Sequence, residues 1–167
     1  MELKQMTRLA LLVALMLIFQ SLRLLLPVPP FVSVFVIGSL VNACLLAAVE
    51  TAGWRLALVP AVVAPVVAYM QQLLPLPVLI PPIAAANGAY ALGYNVLSGR
   101  SRIWAVVLAT GAKFAVVYLM VRGVLVHIQL PEKAAAILMM TLGWPQIITG
   151  LAGGILYLAI RRRLPGG

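Results

Sequence analysis

Long apolar runs, separated by short segments rich in proline, glycine or charge, dominate the pattern of this chain. Each run approaches or exceeds the roughly 20 residues that a helix needs to cross a bilayer. The runs extend over about Met6 to Leu26, Phe31 to Val49, Leu56 to Leu74, Leu79 to Leu97, Ile103 to Val126 and Ala134 to Ile160. Helix-breaking residues lie at the boundaries. The pattern predicts an all-α membrane protein with six transmembrane helices, forming a single integral membrane domain over residues 1–167.

Composition supports a membrane location. Of the 167 residues, 64% are hydrophobic and 9% charged, and the mean hydropathy is +1.12, far from the composition of an ordinary soluble domain. The formal net charge of +9 would suggest nucleic acid as the partner of a soluble protein. In an apolar chain, the excess of Lys and Arg in cytoplasmic loops explains this charge better. We therefore expect a lipid bilayer, and no nucleic acid, around this protein.

The distribution of cations predicts the orientation. With a cytoplasmic N-terminus, the cytoplasmic side holds eight cations: Lys4, Arg8, Arg55, Arg100, Arg102, Arg161, Arg162 and Arg163. The outer side holds three: Arg23, Arg122 and Lys133. This bias predicts a multi-pass membrane protein with both termini in the cytoplasm. We expect its location to be a bacterial-type plasma membrane.

Residues for catalysis or metal binding are scarce. The three acids, Glu2, Glu50 and Glu132, are far apart in the sequence, and His127 and Cys44 are the single histidine and cysteine. Neither a general acid/base pair nor a metal-ligand set follows from this distribution, and no glycine-rich phosphate-binding loop is present. We expect a protein that is not an enzyme and needs no metal or cofactor. Energy for uphill transport would come from a partner.

Four polar residues on four predicted helices share one depth. Counted along the helix at about 1.5 Å per residue, Asn42 lies about 16 Å, Asn87 about 12 Å and Gln146 about 18 Å from the outer ends, and Lys113 about 15 Å from the inner end. Lipid offers these groups no hydrogen-bond partner, so they should face one another or a cavity. For Lys113, the alternative is a long stem that extends to an interface.

Aromatic and kinked segments adjoin this layer. Tyr90 and Tyr94 follow Asn87 on one helix face, where two phenols can stack on a flat ring; packing, or for Tyr94 the interfacial aromatic belt, is the alternative. Pro145, between Trp144 and Gln146, should bend the last helix and free a backbone acceptor. Such a kink either lines a cavity or serves packing.

Two further features concern the helix surfaces. Arg122 lies about half a turn around the helix from Lys113, so the two side chains do not share a face. This position favours a role for Arg122 at the outer rim, where its side chain gates the site or extends to the interface. Gly150 and Gly154 place small residues four apart, as in closely packed membrane helices.

Several segments carry a family resemblance. The first helix begins with Thr7-Arg8 and continues with Ala10-Leu11-Leu12-Val13-Ala14. Later segments are Gly38-Ser39-Leu40-Val41-Asn42, Pro81-Pro82-Ile83-Ala84-Ala85-Ala86-Asn87, Ala112-Lys113-Phe114 and Trp144-Pro145-Gln146-Ile147-Ile148-Thr149-Gly150. With six short helices, they resemble a vitamin-type S component, the substrate-binding membrane subunit of energy-coupling factor (ECF) transporters. The resemblance covers essentially the whole chain.

The resemblance implies a bundle that captures a micronutrient from outside and docks on a shared transmembrane coupling subunit with two ATPase subunits. Ala10 and Ala14 would form the docking groove. The resemblance and the polar layer together predict a candidate binding site. Its floor is Asn42, Asn87, Lys113 and Gln146, and its walls or rim are Tyr90, Trp144, Arg23 and Arg122. A cation in an acid-free layer favours an anionic substrate.

Two other classes remain open at this stage. One is a structural scaffold, since small basic proteins of the MreD type in cell-shape complexes have a similar size and helix number. In that case the midplane polar residues would form a closed network without a ligand. A stand-alone facilitator would use the same cavity but would not associate with ATPase subunits.

Overall fold

The structure is a computed structural model that describes residues 3–25 and 29–161. These residues form α-helices and one short 3-10 turn, Pro77–Leu79, and no strand occurs among them. The helices are α1 (Leu3–Leu25), α2 (Pro30–Ala52), α3 (Trp54–Met70), α4 (Ile80–Leu97), α5 (Arg102–Ile128), α6 (Glu132–Leu142) and α7 (Pro145–Arg161). Glu2, Leu26, Arg162 and Arg163, which entered the sequence predictions, lie outside the described residues.

Four helical segments of the described chain are long and apolar enough to cross a membrane: α1, α2, α5, and α6 with α7 taken together. The apolar α3 has 17 residues, and α4 has 18 residues, among them Asn87, Tyr90, Tyr94 and Asn95. These polar side chains lower the apolar character of α4. The predicted all-helical fold is confirmed for the described residues, and its helices are compatible with a multi-pass membrane protein.

Two predicted runs differ from the helices observed. The third run was expected to reach Leu74, but α3 ends at Met70, because the chain turns at Gln71 and at Gln72, whose φ is +58°. The sixth run is two helices. The Gly143 amide closes α6 on the Met139 carbonyl, and α7 begins at Pro145, whose missing N–H suits a first helical position.

Close helix contacts are made at glycines. At Gly153 of α7, a Cβ atom would lie 2.6 Å from the Asn42 Cβ and would also meet the Ser39 carbonyl oxygen of α2. At Gly150, it would lie 2.8 Å from the Thr110 side chain of α5. The predicted small-residue packing of Gly150 and Gly154 is confirmed, since both face α5.

One end of the bundle carries a polar cluster. Glu50, near the end of α2, lies 3.8 Å from the Arg102 Nε at the start of α5 and 3.4 Å from an Arg161 nitrogen at the end of α7. The Tyr94 hydroxyl of α4 donates to the same carboxylate at 3.0 Å. We call this set the Glu50 cluster. It fixes the ends of α2, α4 and α7 beside the start of α5, so α2, α4 and α7 run in one direction and α5 runs in the opposite one.

Candidate functional site

A partly open cavity of about 170 Å³ lies among α1, α2, α3, α4, α5 and α7. Its lining comes from the second halves of α1 and α3, the first half and middle of α2, the connection between α3 and α4, the first half of α4, the middle of α5, the end of α6 and the first turns of α7. All of these segments lie away from the Glu50 cluster. The cavity therefore occupies the opposite half of the bundle.

Five of the eight residues predicted for substrate binding line this cavity: Arg23, Asn42, Asn87, Lys113 and Gln146. The other three lie elsewhere. Tyr90 is buried next to Lys113, Trp144 is 39% exposed and packs on Phe35 with ring centroids 5.5 Å apart, and Arg122 is exposed on α5. Depth along the helices thus brought the central polar residues together but did not identify which aromatic rings reach the cavity.

Lys113 is held by neutral groups. Its side chain is 3% exposed, and its Nζ donates to Asn42 Oδ1 at 2.5 Å. The same Nζ lies 5.3 Å from the centre of the Tyr90 ring, within range of a cation–π contact. No ion pair to Lys113 occurs in the part of the chain that the structure describes. A buried cation with neutral partners at the cavity surface is suited to an anionic group on a ligand.

The two tyrosines of α4 have separate partners. The Tyr90 hydroxyl donates to the Gly150 carbonyl of α7 at 2.7 Å, so this ring joins α4 to α7 and supports Lys113 from the side. Tyr94 is fully buried, donates to Glu50 and packs edge-on against Tyr157. Neither ring forms a surface on which a ligand can stack.

Asn87 compensates for a proline in the neighbouring helix. Pro65 has no N–H, so the Ala61 carbonyl of α3 lacks its usual partner four residues on. The Asn87 Nδ2 donates to this oxygen at 3.2 Å. One end of the Asn87 amide is therefore structural, although the residue lines the cavity.

The α1 wall contains a residue that the sequence prediction did not include. Gln20 is 6% exposed and lines the cavity one turn before Arg23. Its Nε2 donates to the Ala64 carbonyl at 3.0 Å, while Gln20 Oε1 and Arg23 Nε have no hydrogen-bond partner within the described residues. The available signal was a glutamine inside an apolar run, three residues before an arginine.

The start of α7 completes the lining. Pro145, Gln146 and Thr149 all face the cavity, and Thr149 Oγ1 lies 3.4 Å from the Gln146 carbonyl. Gly38 of α2 lies opposite, where a Cβ would be 2.8 Å from the Thr149 side chain. The break before α7 thus places a side-chain amide and a hydroxyl at the cavity. This arrangement can bind a small polar molecule.

Over the described ranges, no group of three His, Cys, Asp or Glu residues is arranged to hold a metal ion. Comparison of the chain with protein-family models, curated protein sequences and solved structures gave no match. The cavity itself and the charge distribution around it are therefore the features that bear on function.

Proposed function

We propose that this protein is the substrate-binding subunit, or S component, of an ECF-type importer. In this proposal it captures a small anionic micronutrient, a vitamin or vitamin-like compound, from outside the cell. It then docks on a shared transmembrane coupling subunit with two ATPase subunits and catalyses no reaction of its own. Both termini are cytoplasmic, and the chain crosses the membrane six times, with α6 and α7 together forming the last crossing.

The observation that carries the proposal is the convergence of Arg23, Asn42, Asn87, Lys113 and Gln146 on one cavity. These residues come from five helices, and they surround a space that other side chains do not fill. Polar groups within a membrane are costly and are usually functional. A binding site explains why the chain keeps two cations and three amides around one cavity.

The distribution of cations between the two ends of the bundle supports a cavity that faces the outside. The described cations at the end with the Glu50 cluster are Lys4, Arg8, Arg55, Arg100, Arg102 and Arg161, and those at the other end are Arg23, Arg122 and Lys133. The positive-inside rule assigns the first end to the cytoplasm. The cavity, in the opposite half, would then be open to substrate from outside.

The partner surface is the exposed face of α1. Ala10 and Ala14 are both exposed, and Leu11 and Ile18 extend the same face with 66% and 59% exposure. Small residues four apart allow another helix to approach closely within a membrane. This face is available to a coupling subunit while the opposite face of α1 packs on α2 and α3.

A scaffold of the MreD type is the second candidate, and the Lys113–Asn42 hydrogen bond favours it, because that pair is satisfied inside the protein. Gln20 and Arg23 argue against it. A closed network would satisfy its members, whereas Gln20 Oε1 and Arg23 Nε lack partners among the described residues. Two orphan polar atoms beside a cavity fit an incomplete site better than a finished scaffold.

The proposal is tested by purifying the tagged chain from its natural membrane. We expect a coupling subunit and two ATPase subunits to co-purify, and mass spectrometry to detect a released small anion. Ala10→Trp should remove the ATPase subunits but keep the small molecule, since a large ring blocks the docking face far from the cavity. Ala112→Trp, on the exposed surface of α5, is the matched control and should retain both.

Each alternative predicts another result. A scaffold should purify without any small molecule, both as the natural chain and as the Ala10→Trp variant. A facilitator should release the small molecule but never bring ATPase subunits. Either result rejects the ECF assignment.

A further inference from the structure

The α1 wall of the cavity has two unpaired groups of opposite hydrogen-bonding character. Gln20 Oε1 accepts hydrogen bonds only, and Arg23 Nε donates only. The orientation of the Gln20 amide is fixed, because its NH₂ group donates to the Ala64 carbonyl at 3.0 Å. The oxygen must therefore point away from that carbonyl, and it finds no partner in the described protein.

These two groups are close enough to bind a single small molecule. Residues three apart on a helix have Cβ atoms about 5–6 Å apart on the same face, and both residues line the cavity. A buried acceptor without a protein partner favours an N–H or O–H partner, and an unpaired guanidinium N–H favours an anionic acceptor. A ligand with both features would satisfy both groups at once.

Lys113 is less available than Arg23 for the same anion. Its Nζ already donates to Asn42 Oδ1 and lies against the Tyr90 ring. The cavity volume of about 170 Å³ is close to that of the roughly 150 Å³ cavity that accommodates one benzene ring. The cavity therefore has room for a group of about one ring.

We propose that Gln20 and Arg23 together select a one-ring anion that carries an N–H or O–H donor beside its acidic group. Arg23 binds the anionic group, and Gln20 accepts the neighbouring donor. This inference deepens the proposed function and rests on the cavity being a substrate site. It assigns the selective contacts to α1 and leaves Lys113 and Asn42 as a prearranged floor.

Three defined probes test the pairing on the purified full-length chain in detergent: 2-aminobenzoate, benzoate and aniline. They share a ring and differ in having both groups, the acid alone or the amine alone. Binding is measured by calorimetry and by the shift in thermal unfolding. We expect 2-aminobenzoate to bind roughly tenfold more tightly than benzoate, the effect of one satisfied hydrogen bond, and aniline to bind more weakly than both.

Variants separate the two contacts. Gln20→Leu should abolish the preference for 2-aminobenzoate over benzoate, and Arg23→Met should weaken both acids at least tenfold without affecting aniline. Lys133→Met removes an exposed cation from α6 and should change none of the three. If Gln20→Leu fails to fold, Gln20→Met and the comparison of the probes on the natural chain answer the same question.

Three results would overturn the inference: no saturable binding of 2-aminobenzoate, equal binding of aniline and 2-aminobenzoate, or a preference that survives Gln20→Leu. The result is independent of the ATPase test. Selective binding without ATPase subunits would uphold the α1 pair and reject the ECF assignment. Co-purified ATPase subunits without selectivity would reject the α1 pair alone.

Discussion

At the scale of single residues, the Lys113–Asn42 pair shows how a charge is kept inside an apolar bundle. The Asn42 oxygen accepts from the ammonium at 2.5 Å, and the face of the Tyr90 ring adds a second favourable contact. Each partner compensates only part of the cost of desolvating an ammonium group. The cavity beside Lys113 supplies space for water or an anionic ligand to contribute the rest.

The two members of this pair should differ in their effect on stability. Lys113→Met leaves the Asn42 oxygen without a donor, at a cost of about 1–3 kcal/mol. Asn42→Ala instead leaves a buried ammonium group without its acceptor, and an unsatisfied charged group costs more than the about 1–3 kcal/mol of a neutral one. We therefore expect Asn42→Ala to lower the Tm in detergent more than Lys113→Met does.

The double variant completes the cycle. With both groups removed, neither a charge nor an acceptor remains unpaired, so its loss of stability should be smaller than the sum of the two single losses. Strictly additive losses of stability, or a greater decrease of Tm in Lys113→Met than in Asn42→Ala, would mean that the hydrogen bond does not offset the cost of burying the ammonium group.

At the scale of helices, α3 and α4 are coupled through a missing backbone hydrogen bond. Pro65 frees the Ala61 carbonyl, and Asn87 donates to it at 3.2 Å. Two residues that look like separate sequence features therefore form one structural unit. The depth of Asn87 was predictable by counting residues along its helix, but its partner depends on how α3 rotates against α4.

A double-mutant cycle should reveal this coupling. Asn87→Ala in the natural chain leaves the Ala61 carbonyl unpaired and should cost about 1–3 kcal/mol. In Pro65→Ala, residue 65 regains its N–H and can donate to Ala61. There, Asn87→Ala should cost at least about 1 kcal/mol less. Denaturant titration of the four proteins measures the difference, and an equal cost in both backgrounds would disprove the link.

The contact between α2 and α7 sets a second limit at this scale. A methyl group at Gly153 would lie 2.6 Å from the Asn42 Cβ and would meet the Ser39 carbonyl oxygen. Because backbone cannot shift as a flexible side chain can, Gly153→Ala should cost about 1–3 kcal/mol through overpacking.

Gly111 is the matched control, since a Cβ there meets nothing within 4 Å. Gly111→Ala should be neutral or stabilise α5 by up to about 1 kcal/mol, the usual gain of alanine over glycine inside a helix. Thermal unfolding of the two variants compares them directly. Equal Tm values would show that the predicted clash at Gly153 is relieved at little cost.

At the scale of the whole molecule, the apolar pattern and the helical rise anticipated much of the structure. They predicted the helical fold and the common depth of the polar residues, because the fold and the depth both follow from spacing along the chain. The residues at this depth are Asn42, Asn87, Lys113 and Gln146. Gln20 was missed because its role depends on the rotation of α1 about its axis. Pro145 predicted a bend in the last helix, but the full break at Gly143 and the turn at Gln72 depend on local backbone geometry, which hydropathy does not encode.

The direction of the bundle in the membrane is the last property to test, and the natural cysteine makes the test simple. Cys44 is buried, so the unmodified chain should react little with a membrane-impermeant maleimide and serves as the blank. Lys133→Cys and Gly99→Cys each place a thiol at an exposed position at opposite ends of the bundle.

If the end with more cations faces the cytoplasm, Lys133→Cys should be labelled in intact cells, and Gly99→Cys only after the membrane is made permeable. The reverse pattern would place the cavity on the cytoplasmic side. A substrate could then not reach Arg23 and Lys113 from outside, and capture from the external medium would be ruled out even if the cavity binds a small anion. The labelling experiment therefore separates two questions that binding measurements leave joined: whether the site holds a ligand, and from which side that ligand enters.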